Sequence, residues 1–302
     1  MRCRGSWFPA PELSAPEVVV EEEQQKQQQQ TPPHHAAFAL IDWSRPWLAP
    51  LATAGARAAA RVLGGASVAA ALNQEQDQEQ ESCTLHPEAG FAFVSQAQLP
   101  EGTPYERFIY ETRSIPTRDN LHDFFNGLIW LHYPQTKRLL NQWQARAIEQ
   151  QSPGDPRGPL RDAITVFDEN GALLIAPAPL REALKNREWR SLGERLRPLW
   201  QQSRLVPVGH ALLEKLVQPR KSITAHVFLA GDGAPLSADV DDWMALHFDA
   251  QAFAAKPFNP LPVLGVPGWW SENENVCFYD DRLVFRSDSR KIAQQKFTAS
   301  AG

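Results

Sequence analysis

The chain has 302 residues, 43% hydrophobic and 22% charged, with a formal net charge of -5. That length and apolar content supply a substantial core, and the acidic balance gives no basic field for a phosphate backbone, so nucleic acid is not an expected partner. Cys3, Cys83 and Cys277 lie too far apart for a disulfide framework or a CxxC site, which fits a reducing, cytoplasmic setting.

Residues 1–37 combine prolines with a glutamate run and a glutamine run, and are expected to be a disordered tail. Arg2 and Arg4 precede Trp7, Phe8 and Pro9 rather than the apolar core of a signal peptide. Ordered structure is expected from Phe38. The Ala-rich segment Leu51 to Leu72 carries Arg57 and Arg61 near its middle. Each would cost roughly 2.5 to 3.5 kcal/mol at a bilayer centre. It therefore reads as a small-residue helix packed in a soluble fold, with no membrane partner. The polar run Asn73 to Ser82 reads as an exposed loop.

From Thr117 a Thr or Asp cap opens the helical pattern RDNLHDFFNGLIWLHY. Pro134 closes it and can open the next helix, which predicts an αα-hairpin. After a Pro/Gly loop at Ser152 to Pro159, AITVFDENGALLIA reads as strand, turn, strand, because Asn170 and Gly171 tolerate positive φ. Two helical runs follow, and then RLVPV, GHALLEKLV and SITAHVFLA suggest a small βαβ unit. A last helix over Asp239 to Ala255 precedes a Pro-rich extended stretch. The expected architecture is α+β: a helix-rich single domain over 38–290 with a small mixed sheet, followed by a tail at 291–302.

These motifs resemble a bacterial family catalogued as a domain of unknown function, number 3025 in that series. The resemblance rests on TRDNLHDFFNGLIWL at Thr117 to Leu131, RDAITVFDENG at Arg161 to Gly171 and GHALLEKL at Gly209 to Leu216. ITAH at Ile223 to His226, LPVLGVPGWW at Leu261 to Trp270 and FYDD at Phe278 to Asp281 complete it, from about Asp42 to Arg286. It implies family membership and carries over no reaction. The N-terminal tail and the Gln-rich run look like additions to the family's pattern.

On the first strong helix, Leu121, Phe124, Phe125, Leu128 and Leu131 share one face, while Asp119, His122, Asp123, Asn126 and Trp130 gather opposite. A solvated back normally favours Lys, Glu and Gln, whereas Asp, His and Asn lower helix propensity. The stripe therefore marks either a functional site or a buried network. In a site, His122 would act as general base, with Asp123 or Asp119 orienting it or binding a cation. His210 and Glu214 are spaced i,i+4 and can reach one point. His226 lies on the following strand, and Arg161 could face a carboxylate or phosphate. Imidazoles mixed with carboxylates suit a divalent ion such as zinc, manganese or iron, although no HExxH or cysteine spacing accompanies them. Two functional expectations follow. One is a hydrolase- or lyase-like enzyme acting on a small polar metabolite. The other is a non-catalytic ligand-binding or interaction protein in which the stripe is a structural network.

Overall fold

In the computed structural model, which describes residues 34–82, 90–151, 156–231, 233–237 and 239–287, helices dominate and two small sheets organise them. Of the expected tail at 1–37, residues 1–33 lie outside the described residues, as does the expected tail at 291–302; residues 34–37 belong instead to a 3-10 helix, His34–Leu40. Among the described residues no helix is long and apolar enough to cross a membrane.

The Ala-rich segment forms two helices rather than one, α1 (Ala52–Leu63) and the start of α2 (Val68–Ser82), because Gly64 and Gly65 interrupt it and Gly65 takes φ +99°. The expected loop at Asn73 to Ser82 is instead the body of α2. Two of its polar residues have fixed partners. Asn73 exchanges hydrogen bonds of 2.8 and 2.9 Å with the backbone of Phe93, and the fully buried Glu75 accepts from both Arg57 and Arg61. The two arginines that argued against a bilayer thus hold α2 onto α1.

Strand β1 (Ala92–Ser95) pairs in parallel with β2 (Ser114–Thr117), and α3 (Tyr105–Thr112) lies between them in sequence. The αα-hairpin forms as expected from α4 (Leu121–His132) and α5 (Pro134–Glu149), with Pro134 in the first turn of the second helix. The cap of α4 is Asn120, whose side chain accepts from the Asp123 amide at 2.8 Å, rather than Thr117 or Asp119. The helix is enclosed on nearly all sides. Phe124, Phe125 and Leu128 are buried, and so are Asp123, Asn126 and Trp130. Of the polar stripe, Asp123, Asn126 and Trp130 face protein, His122 is half-buried and Asp119 is exposed.

The segment read as strand, turn and strand is helix α6 (Pro159–Asn170) running directly into β3 (Gly171–Ile175). Ile164, Thr165 and Val166 favour a strand locally. However, Ala163, Ile164 and Phe167 form a buried helical face, and Phe167 meets Phe248, Phe253 and Phe258 with ring centroids 5.4, 5.5 and 5.9 Å away. Tertiary burial overrides the local preference.

After β3 come α7 (Ala178–Lys185), α8 (Trp189–Gly193), β4 (Arg204–Pro207), α9 (His210–Lys215) and β5 (Thr224–Leu229). The expected last helix is broken at Phe248 into α10 (Val240–His247) and α11 (Ala250–Ala254), the second capped by Asp249, before β6 (Phe258–Pro262). The mixed sheet has the order β4-β3-β5-β6, with β3 and β5 parallel and both outer strands antiparallel to their neighbours. Strand, helix and strand do follow one another at β4, α9 and β5. The two strands nonetheless run in opposite directions on either side of β3, so the parallel crossover is the longer one from β3 to β5.

One junction positions everything that follows. The Gly171 carbonyl accepts hydrogen bonds from the amides of Val208 at 3.0 Å and Gly209 at 2.8 Å. A Cβ on Gly209 would lie 2.5 Å from the Gly171 nitrogen and 2.6 Å from the Asn170 Cα. Those are backbone atoms that cannot swing aside. The start of α9 is thereby pressed against the end of α6. Gly209→Ala is expected to cost about 1 to 3 kcal/mol; an unchanged midpoint in denaturant unfolding would contradict this close approach.

Candidate functional site

His122 lies in the first turn of α4, His210 opens α9 and Glu214 follows one turn later, so the packing of these two helices brings the three together. His122 Nδ1 lies 2.9 Å from Glu214 Oε2. Since a carboxylate accepts, Nδ1 carries the hydrogen, and Nε2 is the nitrogen turned inward. There it meets His210 Nε2 at 3.0 Å, with the rings at 84° to each other. Glu169, from the last turn of α6, places Oε1 3.7 Å from that same His210 nitrogen. One ligand atom from each of His122, Glu169 and His210 can be chosen so that all lie within 4.8 Å of one another. The His122, Glu169 and Glu214 side chains are 33%, 36% and 39% exposed, whereas that of His210 is 5% exposed. The cluster therefore has a buried floor and a side that solvent reaches.

Beneath it lies a second layer. Lys137 of α5 is buried and donates to Asn126 Oδ1 at 2.9 Å and to Asp168 Oδ1. Asn126 in turn donates to the Tyr105 hydroxyl at 3.2 Å. The other Asp168 oxygen stands 3.7 Å from His210 Nδ1, a buried atom without a hydrogen-bond partner among the described residues. Removing one member of a buried pair such as Lys137 and Asp168 typically costs about 3 to 5 kcal/mol.

These surroundings split the two histidines. The hydrogen bond to Glu214 outweighs desolvation and raises the pKa of His122 above the ordinary imidazole range. Burial pushes that of His210 down to about 4. Burial also raises Glu169. At Asp168 burial pushes upward, but Lys137 and the two histidines outweigh it and hold the carboxyl below its usual value. In a metal-free protein one proton fits this arrangement, shared between the two Nε2 atoms, with His122 as donor and neutral His210 as acceptor.

The sequence-derived candidates divide clearly. His122, His210 and Glu214 converge at the cluster, and Asn126 belongs to the layer beneath. Asp123 is taken by Arg118, whose Nη2 lies 2.9 Å from Oδ1. Asp119 lies before α4 rather than on it and accepts from the Val68 amide at 2.7 Å, at the start of α2. Arg161 donates to Gln151 near the opposite end of α6, seven residues or about 10 Å along the axis from Asp168. His226 is half-buried on β5, opposite Gly171 and Pro260, and is not one of the three converging residues.

Asp168, Glu169 and Lys137 were not among the candidates. Reading 163–176 as strand, turn and strand assigns the two acids to a turn, although Pro159 is the available helix-start signal. Lys137 had a signal of its own, because a cation near a helix N-terminus opposes the macrodipole and requires another partner.

A folded pKa below the unfolded value means that the unfolded state takes up protons first. The contribution of His210 is therefore full above pH 6.5 and is lost as pH falls toward 4. With a chelator present, this amounts to about 3 kcal/mol. Burial lowers His132 and His226 in the same direction, so wild type must be compared with a variant. His210→Phe is expected to flatten the fall in unfolding free energy between pH 6.5 and 4.5; an identical slope in both proteins would show that His210 is not buried neutral.

No curated protein and no solved structure matches the chain. A family model described as "Protein of unknown function (DUF3025)" matches residues 91–289, which includes every residue of the cluster and its floor. The C-terminal limit falls close to the expected Arg286, while the match starts at residue 91 rather than near Asp42. With the match spanning well over half of its length, the chain belongs to the DUF3025 family.

Proposed function

We propose that the chain is a hydrolase- or lyase-like enzyme for a small polar substrate, with its reaction centre where His122, His210 and Glu169 converge. The observation that carries this reading is the meeting of two imidazole Nε2 atoms at 3.0 Å beside a half-exposed carboxylate. Three groups of matched chemistry from three helices act on one point that solvent reaches. Their environments push the two histidines apart in proton affinity, a pattern that accompanies sites moving protons near neutral pH. In this reading the three groups bind and polarise a water molecule or a substrate oxygen. Glu214 holds His122 in one tautomer and one orientation, and is a positioning residue. The Lys137–Asp168 pair fixes the floor on which His210 rests.

The layer of Asn126, Lys137, Asp168 and Tyr105 favours a second reading, a non-catalytic protein whose polar stripe fixes helix packing, since its members satisfy one another internally. That network does not account for the solvent-facing side, where His122, Glu169 and Glu214 remain open.

The test is turnover on a panel of small esters, amides, phosphoesters and hydroxy acids. His122→Asn is expected to lower kcat/KM by about 100-fold or more on any substrate found. Glu214→Gln should lower kcat about tenfold with KM little changed, which a purely structural role would not produce. Equal turnover by wild type and His122→Asn would contradict the assignment.

A further inference from the structure

We propose that His122 Nε2, His210 Nε2 and the Glu169 carboxylate form a binding site for one first-row divalent transition ion, of the zinc or manganese class, with a remaining position open to solvent. The inference rests on the reaction centre proposed above and names the cofactor it uses.

Distances support it first. Two nitrogens each about 2.1 Å from one ion lie about 3 to 3.4 Å apart for bond angles between a right angle and tetrahedral. The two Nε2 atoms are 3.0 Å apart. The Glu169 carboxylate, 3.7 Å from His210 Nε2 in a set whose atoms lie within 4.8 Å of one another, closes to that range by rotation of its half-exposed side chain.

The backing of the ligands is the second support. A metal-bound imidazole needs its inward nitrogen free of hydrogen and its outer N–H held by an acceptor. His122 meets this through Glu214, which fixes Nδ1 as the donor. On His210 the outer nitrogen faces Asp168 Oδ2 at 3.7 Å, beyond hydrogen-bond distance, beside the Asp168 backbone that also interacts with the ring, and among the described residues it has no side-chain partner closer than this. Both imidazoles thus have a carboxylate behind them and the same side in front. A hydrogen-bonded pair of histidines serving only to pack two helices would not require acceptors behind both rings and a third ligand beside them.

The ligand chemistry decides the class of ion. Two imidazoles and a carboxylate are a borderline set that suits zinc, manganese or iron, whereas magnesium and calcium prefer all-oxygen sites. Three protein ligands with solvent access leave a position for water or substrate oxygen, the arrangement of a catalytic rather than a structural ion.

The test is isothermal titration of the chelator-stripped full chain with Zn²⁺ and Mn²⁺, with Mg²⁺ as the control ion, alongside elemental analysis of protein purified without chelator. One ion per chain is expected for zinc or manganese, with no saturable binding of magnesium. His210→Phe and His122→Asn should each abolish that binding. Glu169→Gln, at a half-exposed position that tolerates an isosteric change, keeps the test valid if the histidine variants unfold. It should weaken binding, and Glu214→Gln should weaken it about 10- to 100-fold through His122. Wild-type affinity in Glu169→Gln or His210→Phe, or absence of one-to-one binding in wild type, overturns the proposal. Stoichiometric binding without turnover on any substrate would uphold the metal site and sink the enzymatic reading, whereas turnover by the stripped chain together with no one-to-one binding would do the reverse.

Discussion

Where α6 ends and β3 begins, the Gly171 carbonyl holds two successive amides, those of Val208 and Gly209, and no side chain fits between the two segments. This contact between backbones is the constraint on which the site depends. It sets the last turn of α6, with Asp168 and Glu169, against the first residue of α9, His210. Since β3 sits between β4 and β5, the same contact also joins the sheet to the helices. A strand-end junction of this kind fixes positions more firmly than a loop, because displacing it breaks pairing on both sides of β3.

A second constraint acts from the opposite side. Lys137 is a buried cation that the surrounding apolar residues would not tolerate alone. It joins α5 to α6 through Asp168 and α5 to α4 through Asn126. With α4 thus fixed relative to α6, His122 is delivered opposite His210, and Glu214 then fixes the orientation that turns its Nε2 inward. The polar stripe on α4 therefore has a divided role. Asn126 belongs to the framework, Asp123 secures Arg118, and His122 alone of the stripe enters the cluster.

The sequence revealed much of this through composition that helix stability does not explain. Asp, His and Asn on the back of an apolar helix pointed to His122 and Asn126, and the i,i+4 spacing of His210 and Glu214 pointed to the second half of the cluster. The third part was hidden by a local conflict. Ile164, Thr165 and Val166 have strand preferences, and Asn170–Gly171 looks like a turn, so Asp168 and Glu169 were assigned to a hairpin tip. Only long-range contacts of Phe167 with aromatic residues 81 to 91 positions away make that segment helical, and periodicity over a dozen residues cannot reveal them. The polar run at Asn73 to Ser82 looks like a loop for a similar reason, because the partners that hold Asn73 and Glu75 in a helix lie elsewhere in the chain. The strand-helix-strand order was legible, while strand direction was not, since β3 enters the sheet between β4 and β5.

The proposed ion site requires three helices to deliver His122, His210 and Glu169 to one point. Anomalous diffraction from crystals grown with manganese or zinc, collected at the absorption edge of the ion, locates such a point directly. A single strong peak is expected within about 2.3 Å of both Nε2 atoms and of a Glu169 oxygen. A peak bound elsewhere on the chain, or no peak at the cluster from crystals that retain the metal, would contradict it.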